Sequence, residues 1–138
     1  VFGTMHSTNA SQAVHRLMDM FPQNERDLIR QTLSMTLKAI ISQILLPCLN
    51  EGVDRIPAVE ILISNATVRK LISEDREADL PNIIRSSVDE GMQDLTYNLC
   101  ELVNSGSVDA KDAYKYAPNI DEFKMALKGI RTTASGIL

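Results

Sequence analysis

Two β-branched runs, AIISQILLP (39–47) and IPAVEILI (56–63), constrain this chain more than any other feature. Each is continuous in apolar residues, each carries a proline at or near one end, and neither has the three-to-four-residue spacing of a helix face. Between them lies CLNEGVDR (48–55), which supplies Asn, Gly and Asp for a turn. The pattern reads as two strands joined by a loop, a hairpin, with Pro57 placing the second strand at an edge or at its own start.

Helical periods surround the hairpin. Ahead of it, Val1–Thr4 reads as the end of a buried strand, followed by a polar turn holding His6. Asn9 or Ser7 then caps a helix whose apolar face is Ala13, Val14, Leu17, Met18 and Phe21, and Pro22 ends it. Asn24 is the expected cap of a second helix with Leu28, Ile29, Leu33, Leu37 and Ile40 on its face. After the hairpin the chain reads as helical throughout. Ser64 or Asn65 caps a helix bearing Val68, Leu71 and Ile72. The stretch SEDREAD reads as a solvated break. Asp79 and Pro81 open a helix that Gly91 stops, Gly106 closes the next, and Ser107 caps VDAKDAYKYA. Asn119 with Glu122 forms a capping-box pattern ahead of Ile120, Phe123 and Leu127.

The expected fold class is therefore α/β at the start, one end of a sheet with helices, followed by an all-α helical bundle, and mostly helical overall. The boundaries are 1–63 for the mixed part, 64–130 for the helical part and 131–138 for a disordered tail.

Composition removes several function classes. The net charge of −4 among 138 residues offers no basic patch for nucleic acid. No apolar run approaches the roughly 18 residues needed to span a bilayer, and no signal peptide is visible. Cys48 and Cys100 sit in apolar contexts and form no C-x-x-C, which suits a reduced chain without a zinc site. His6 and His15 fall on different elements, so no metal site is expected. No phosphate-binding G-x-x-x-x-G-K-[ST] loop, no G-x-S-x-G and no Cys–His pair at a familiar spacing occurs. On these grounds the chain carries no complete active site.

Several stretches in order resemble the C-terminal half of the PilT-like ATPases that power type IV pilus retraction. VFGTMHSTNASQAVHRLMDMFP looks like that family's histidine-box strand and helix, including Arg16, Asp19, Phe21 and Pro22. IRQTLSMTLKAIISQILLP and RIPAVEIL look like the next helix and two strands, with Arg55 and Glu60 in place. ATVRKLISE resembles the family's short retraction helix, and EGMQDLTYNLCELVNSGSVDAKDAYKYAPNIDEF its terminal helices. The similarity covers about residues 1–130.

The resemblance implies a fragment of a hexameric motor: the end of a RecA-like core followed by a helical subdomain, with the phosphate loop and acidic Mg²⁺ motifs upstream. It implies ATP and Mg²⁺ for the intact parent and no cofactor for this chain alone. Partners would be a homo-hexameric ring and the pilus machinery at the inner membrane, on the cytoplasmic side, with neither nucleic acid nor a transmembrane segment. His6 would sense the γ-phosphate region, since phosphoryl transfer rests on positioned charge around that group. Val68, Arg69, Leu71, Ile72 and Glu74 keep the retraction-helix pattern. Lys70 and Ser73 depart from it, and at position 73 a bidentate donor is lost. Arg55 and Glu60 would pair within the chain or face a neighbouring subunit. Two other readings compete: a non-enzymatic helical interaction module, and a fragment of a pilus-assembly or type II secretion ATPase. The latter branch usually carries a four-cysteine zinc motif, of which nothing is seen here.

Overall fold

The structure, a computed structural model, describes residues 1–129, so the tail expected at 131–138 lies outside the described residues. Helices predominate: α1 (Ala10–Asp19) and α2 (Arg26–Thr36) precede strands β1 (Ala39–Pro47) and β2 (Arg55–Ile63). There follow α3 (Ala66–Ser73), α4 (Leu80–Ser86), α5 (Leu95–Asn104), α6 (Ala110–Tyr116) and α7 (Ile120–Leu127). Short 3₁₀ turns occupy Glu77–Asp79 and Val88–Glu90. Among the described residues β1 and β2 form the only sheet. Their antiparallel ladder is framed by Ser64 N–H donating to the Lys38 carbonyl at 2.9 Å and Cys48 N–H donating to the Asp54 carbonyl at 3.1 Å. The expected hairpin is thus present, with Pro57 inside β2.

Local chemistry sets most helix starts. Asn9, Asn65, Asp94, Asp109 and Asn119 each accept a backbone N–H of the following first turn, at α1, α3, α5, α6 and α7. Four expected boundaries move. The residue before α2 is Glu25, not Asn24, and its side chain makes no cap bond. Asp109 rather than Ser107 caps α6, because Ser107 is buried and its hydroxyl lies 2.9 Å from that of Ser105. Asp79 precedes α4 without capping it, its carboxylate being taken by Arg76 at 2.7 Å. Gly91 ends the 3₁₀ turn after α4 rather than α4 itself.

Val1–Thr4 is not a strand and is exposed. Its apolar residues have strand propensity, but a strand exists only through ladder bonds to a neighbour, and no described strand lies beside it.

The described residues pack as two compact units, residues 1–42 with 61–92, and residues 43–60 with 93–129. The base of the hairpin belongs to the first unit and its outer part to the second. The first unit buries Ala10 and Val14 of α1, Leu62 of β2, Val68, Leu71 and Ile72 of α3, and Leu80 and Ile84 of α4. The second buries Leu46 and Ala58 of the hairpin with Leu99 and Cys100 of α5, Ala113 of α6 and Phe123 of α7. There Phe123 meets Tyr114 edge-on, with ring centroids 5.1 Å apart.

Within the second unit, Val59 of β2 is held by side chains instead of a third strand. Its N–H donates to Asn98 Oδ1 at 2.8 Å, and its carbonyl accepts from Gln93 Nε2 at 2.8 Å.

Candidate functional site

Both candidate elements, the His6 turn and helix α3, lie in the first unit. The turn is fixed by its own sequence. Asn9 Oδ1 accepts from Gln12 N–H, while Gln12 Oε1 accepts from Thr8 N–H, both at 2.8 Å. This is a reciprocal cap displaced by one residue from the usual box. Arg16, one side of α1 away, donates to the His6 carbonyl. The His6 side chain is exposed and accepts or donates no hydrogen bond among the described residues. The backbone around His6 is therefore anchored while its imidazole faces solvent.

Helix α3 divides into two faces. Val68, Leu71 and Ile72 are buried, at the i, i+3, i+4 spacing that places them on one stripe. Burial of each contributes roughly 1.5–3 kcal/mol. Arg69 and Glu74 are exposed. Glu74 lies 3.5 Å from Arg76 and 4.0 Å from Lys70, pairs whose exposure leaves them worth little energetically. The Asp79 carboxylate holds the proton on Arg76 more firmly than usual, with a smaller push from Glu74. The two remaining candidates sit on β2. Arg55 opens the strand and is exposed, and Glu60 is half-buried. Five residues apart on a strand, they point to opposite faces.

The end of α3 was not legible in the sequence. Asp75 adopts a left-handed conformation, φ 61°. Arg76 N–H bonds the Leu71 carbonyl at 2.9 Å and Asp75 N–H the Ile72 carbonyl at 3.4 Å. This is the Schellman pattern, with aspartate where glycine is usual. SEDREAD is solvated at Glu74, Asp75, Arg76 and Ala78, but Glu77 is buried and meets Arg30 of α2 at 2.9 Å. Arg30 is buried too, and also donates to the Ile72 carbonyl at 3.1 Å and to the Asp75 carboxylate. The only advance signal was a charged residue among Leu28, Ile29 and Leu33.

Among the described residues no three His, Cys, Asp or Glu side chains are grouped to hold a metal ion. No described helix is long and apolar enough to cross a membrane.

A hairpin flanked by helices, an anchored histidine turn and a short two-faced helix with a tight C-terminal turn do not by themselves name an activity. Similarity to known proteins gives the family. A twitching motility protein of Neisseria gonorrhoeae is 38% identical over 119 residues, 86% of this chain and 32% of its own length. The type IV pilus retraction ATPase PilT of Pseudomonas aeruginosa is 36% identical over 123 residues, 89% of this chain and 35% of its own. The crystal structure of the pilus retraction motor PilT with bound ADP matches with a TM-score of 0.75 at 34% identity, covering 88% of this chain and 33% of that one. No protein-family model matches. The chain belongs with the PilT-like pilus-retraction ATPases, and it spans about a third of the length of the curated relatives it matches.

Proposed function

We propose that this chain is the C-terminal part of a hexameric motor ATPase that couples ATP hydrolysis to type IV pilus retraction and twitching motility. In this reading residues 1–63 complete the edge of a RecA-like core and residues 64–130 form a helical subdomain. The carrying observation is the two-faced helix α3, whose apolar stripe is buried in the first unit while Arg69 and Glu74 face outward. Those two charged groups are the contact face for the rest of the machine, and Val68, Leu71 and Ile72 seat the helix. Arg55 and Glu60 contribute to a subunit interface.

His6 reports on the γ-phosphate of ATP in the whole protein. An exposed imidazole on an anchored backbone can donate to a phosphate oxygen, and α1 follows directly to carry the response. In this reading the ligands of Mg²⁺ and of the phosphates lie outside residues 1–138. The segment alone is expected not to hydrolyse ATP. The assembled motor would work on the cytoplasmic side of the inner membrane, beside the pilus machinery.

The test is a chimera in which this chain replaces the matching segment of the Neisseria relative. A twitching chimera that loses motility with Arg69→Ala or Glu74→Ala, while its ring still assembles and hydrolyses ATP, supports the reading. Motility unchanged by both substitutions refutes the role given to α3.

A further inference from the structure

We propose that Arg30 is the positioning residue of helix α3: its buried guanidinium closes the left-handed turn at Asp75 and thereby sets where the outward face bearing Arg69 and Glu74 stands. The inference rests on the reading of α3 as the retraction helix, but its geometry is independent of that reading.

A Schellman turn needs one residue at positive φ, and for a residue with a Cβ that conformation is unfavourable. Asp75 takes it with φ 61°. Glycine, which incurs no such cost, is absent; aspartate tolerates the region better than most residues, and a further side chain holds the turn. Arg30 does so through three groups at once. Nη1 donates to the Ile72 carbonyl, the same carbonyl that receives the long 3.4 Å bond from Asp75 N–H. Nη2 donates to the Asp75 carboxylate itself. Both nitrogens reach Glu77, at 2.9 and 3.3 Å, beyond the turn. The planar fork thus spans the last carbonyls of α3, the strained residue and the first buried group after it. A lysine ammonium has the charge but not the fork.

Arg30 and Glu77 form a buried pair, and such a pair has two separable roles. It satisfies two charges, and it fixes the geometry of whatever else it touches. Mere satisfaction predicts that Arg30 matters to the first unit as a whole. Positioning predicts that it matters to the end of α3 in particular, and that glycine at position 75 makes it dispensable there.

The experiment is amide hydrogen exchange on the 138-residue chain, comparing wild type, Arg30→Lys, Asp75→Gly and the double variant. With Arg30→Lys, exchange of the Glu74, Asp75 and Arg76 amides should rise about tenfold, the scale of one lost charge-assisted hydrogen bond, while α1 and α4 change little. Adding Asp75→Gly should return most of that protection. Exchange that rises uniformly across residues 1–42 and 61–92, stays at wild-type level, or is not rescued by glycine overturns the proposal. If Arg30→Lys does not fold, Glu77→Gln with and without Asp75→Gly asks the same question, with local loss and rescue expected and uniform loss refuting. None of these readouts involves motility, so an unchanged twitching phenotype for Arg69→Ala would sink the retraction reading and leave this one standing.

Discussion

Gly91→Ala isolates a steric cost that the fold makes calculable. Gly91 closes the 3₁₀ turn after α4 with φ 87°, its N–H bonded to the Val88 carbonyl at 2.9 Å. An alanine there meets the left-handed penalty of about 1–2 kcal/mol, partly offset by the smaller entropy of the unfolded chain, about 0.4–1 kcal/mol. Gly52 and Gly106 share the positive φ, at 77° and 76°, but an added Cβ at either meets nothing within 4 Å. At Gly91 the Cβ would lie 3.2 Å from Ile63 Cδ1. That atom is the tip of a side chain at the margin of the first core, so it yields at a cost nearer about 0.5 kcal/mol than the upper range for overpacking. Gly106→Ala should therefore lose about 0.5–1 kcal/mol by urea denaturation, and Gly91→Ala roughly 0.5 kcal/mol more. Ile63→Val removes the Cδ1 atom. In a double-mutant cycle it should couple favourably with Gly91→Ala by about 0.5 kcal/mol. Absence of that coupling refutes the assigned contact, whatever the single variants do.

Three further outcomes follow from the same geometry. Asn65→Ala removes the α3 cap, which accepts Val68 N–H at 2.9 Å, and should cost about 1 kcal/mol in the urea midpoint. Phe123→Ala empties the centre of the second core and should cost about 3–5 kcal/mol by the same assay. Burial, aided by the charge of Asp94, pushes the Cys100 thiol up from its usual range. The folded chain then keeps that proton longer than the unfolded one, so the contribution is fully present below about pH 8.5 and is lost as pH rises beyond it. Urea midpoints measured from neutral to alkaline pH should fall less steeply in Cys100→Ala than in wild type.

Sequence reasoning succeeded where the determining physics is local. Asn9, Asn65 and Asn119 cap helices because each can reach an N–H two or three residues on, and the hairpin follows from two β-branched runs around a turn-rich loop. It failed where a partner had to be found far along the chain. Val1–Thr4 has the composition of a strand, yet composition supplies no neighbour to bond with. Arg30 and Glu77 are 47 positions apart, so no spacing rule links them, and nothing local in SEDREAD sets Glu77 apart from its exposed neighbours. Asp75 is harder still, since a left-handed aspartate is recognisable only once the Schellman bonds and the guanidinium beside it are known. The two faces of α3 were legible in the sequence, and what holds its end was not.

The two side-chain amides at Val59 carry a consequence for the chain's solution behaviour. An outward-facing strand residue offers one donor and one acceptor, which is what an incoming strand needs to begin pairing. Asn98 and Gln93 occupy both, imitating a neighbouring backbone with groups that cannot propagate a ladder. Adding a strand at that point of β2 first requires displacing two bonds of 2.8 Å from the segment that begins α5. The pair thus blocks strand addition at Val59, two residues beyond Pro57, which already removes a donor from the same edge.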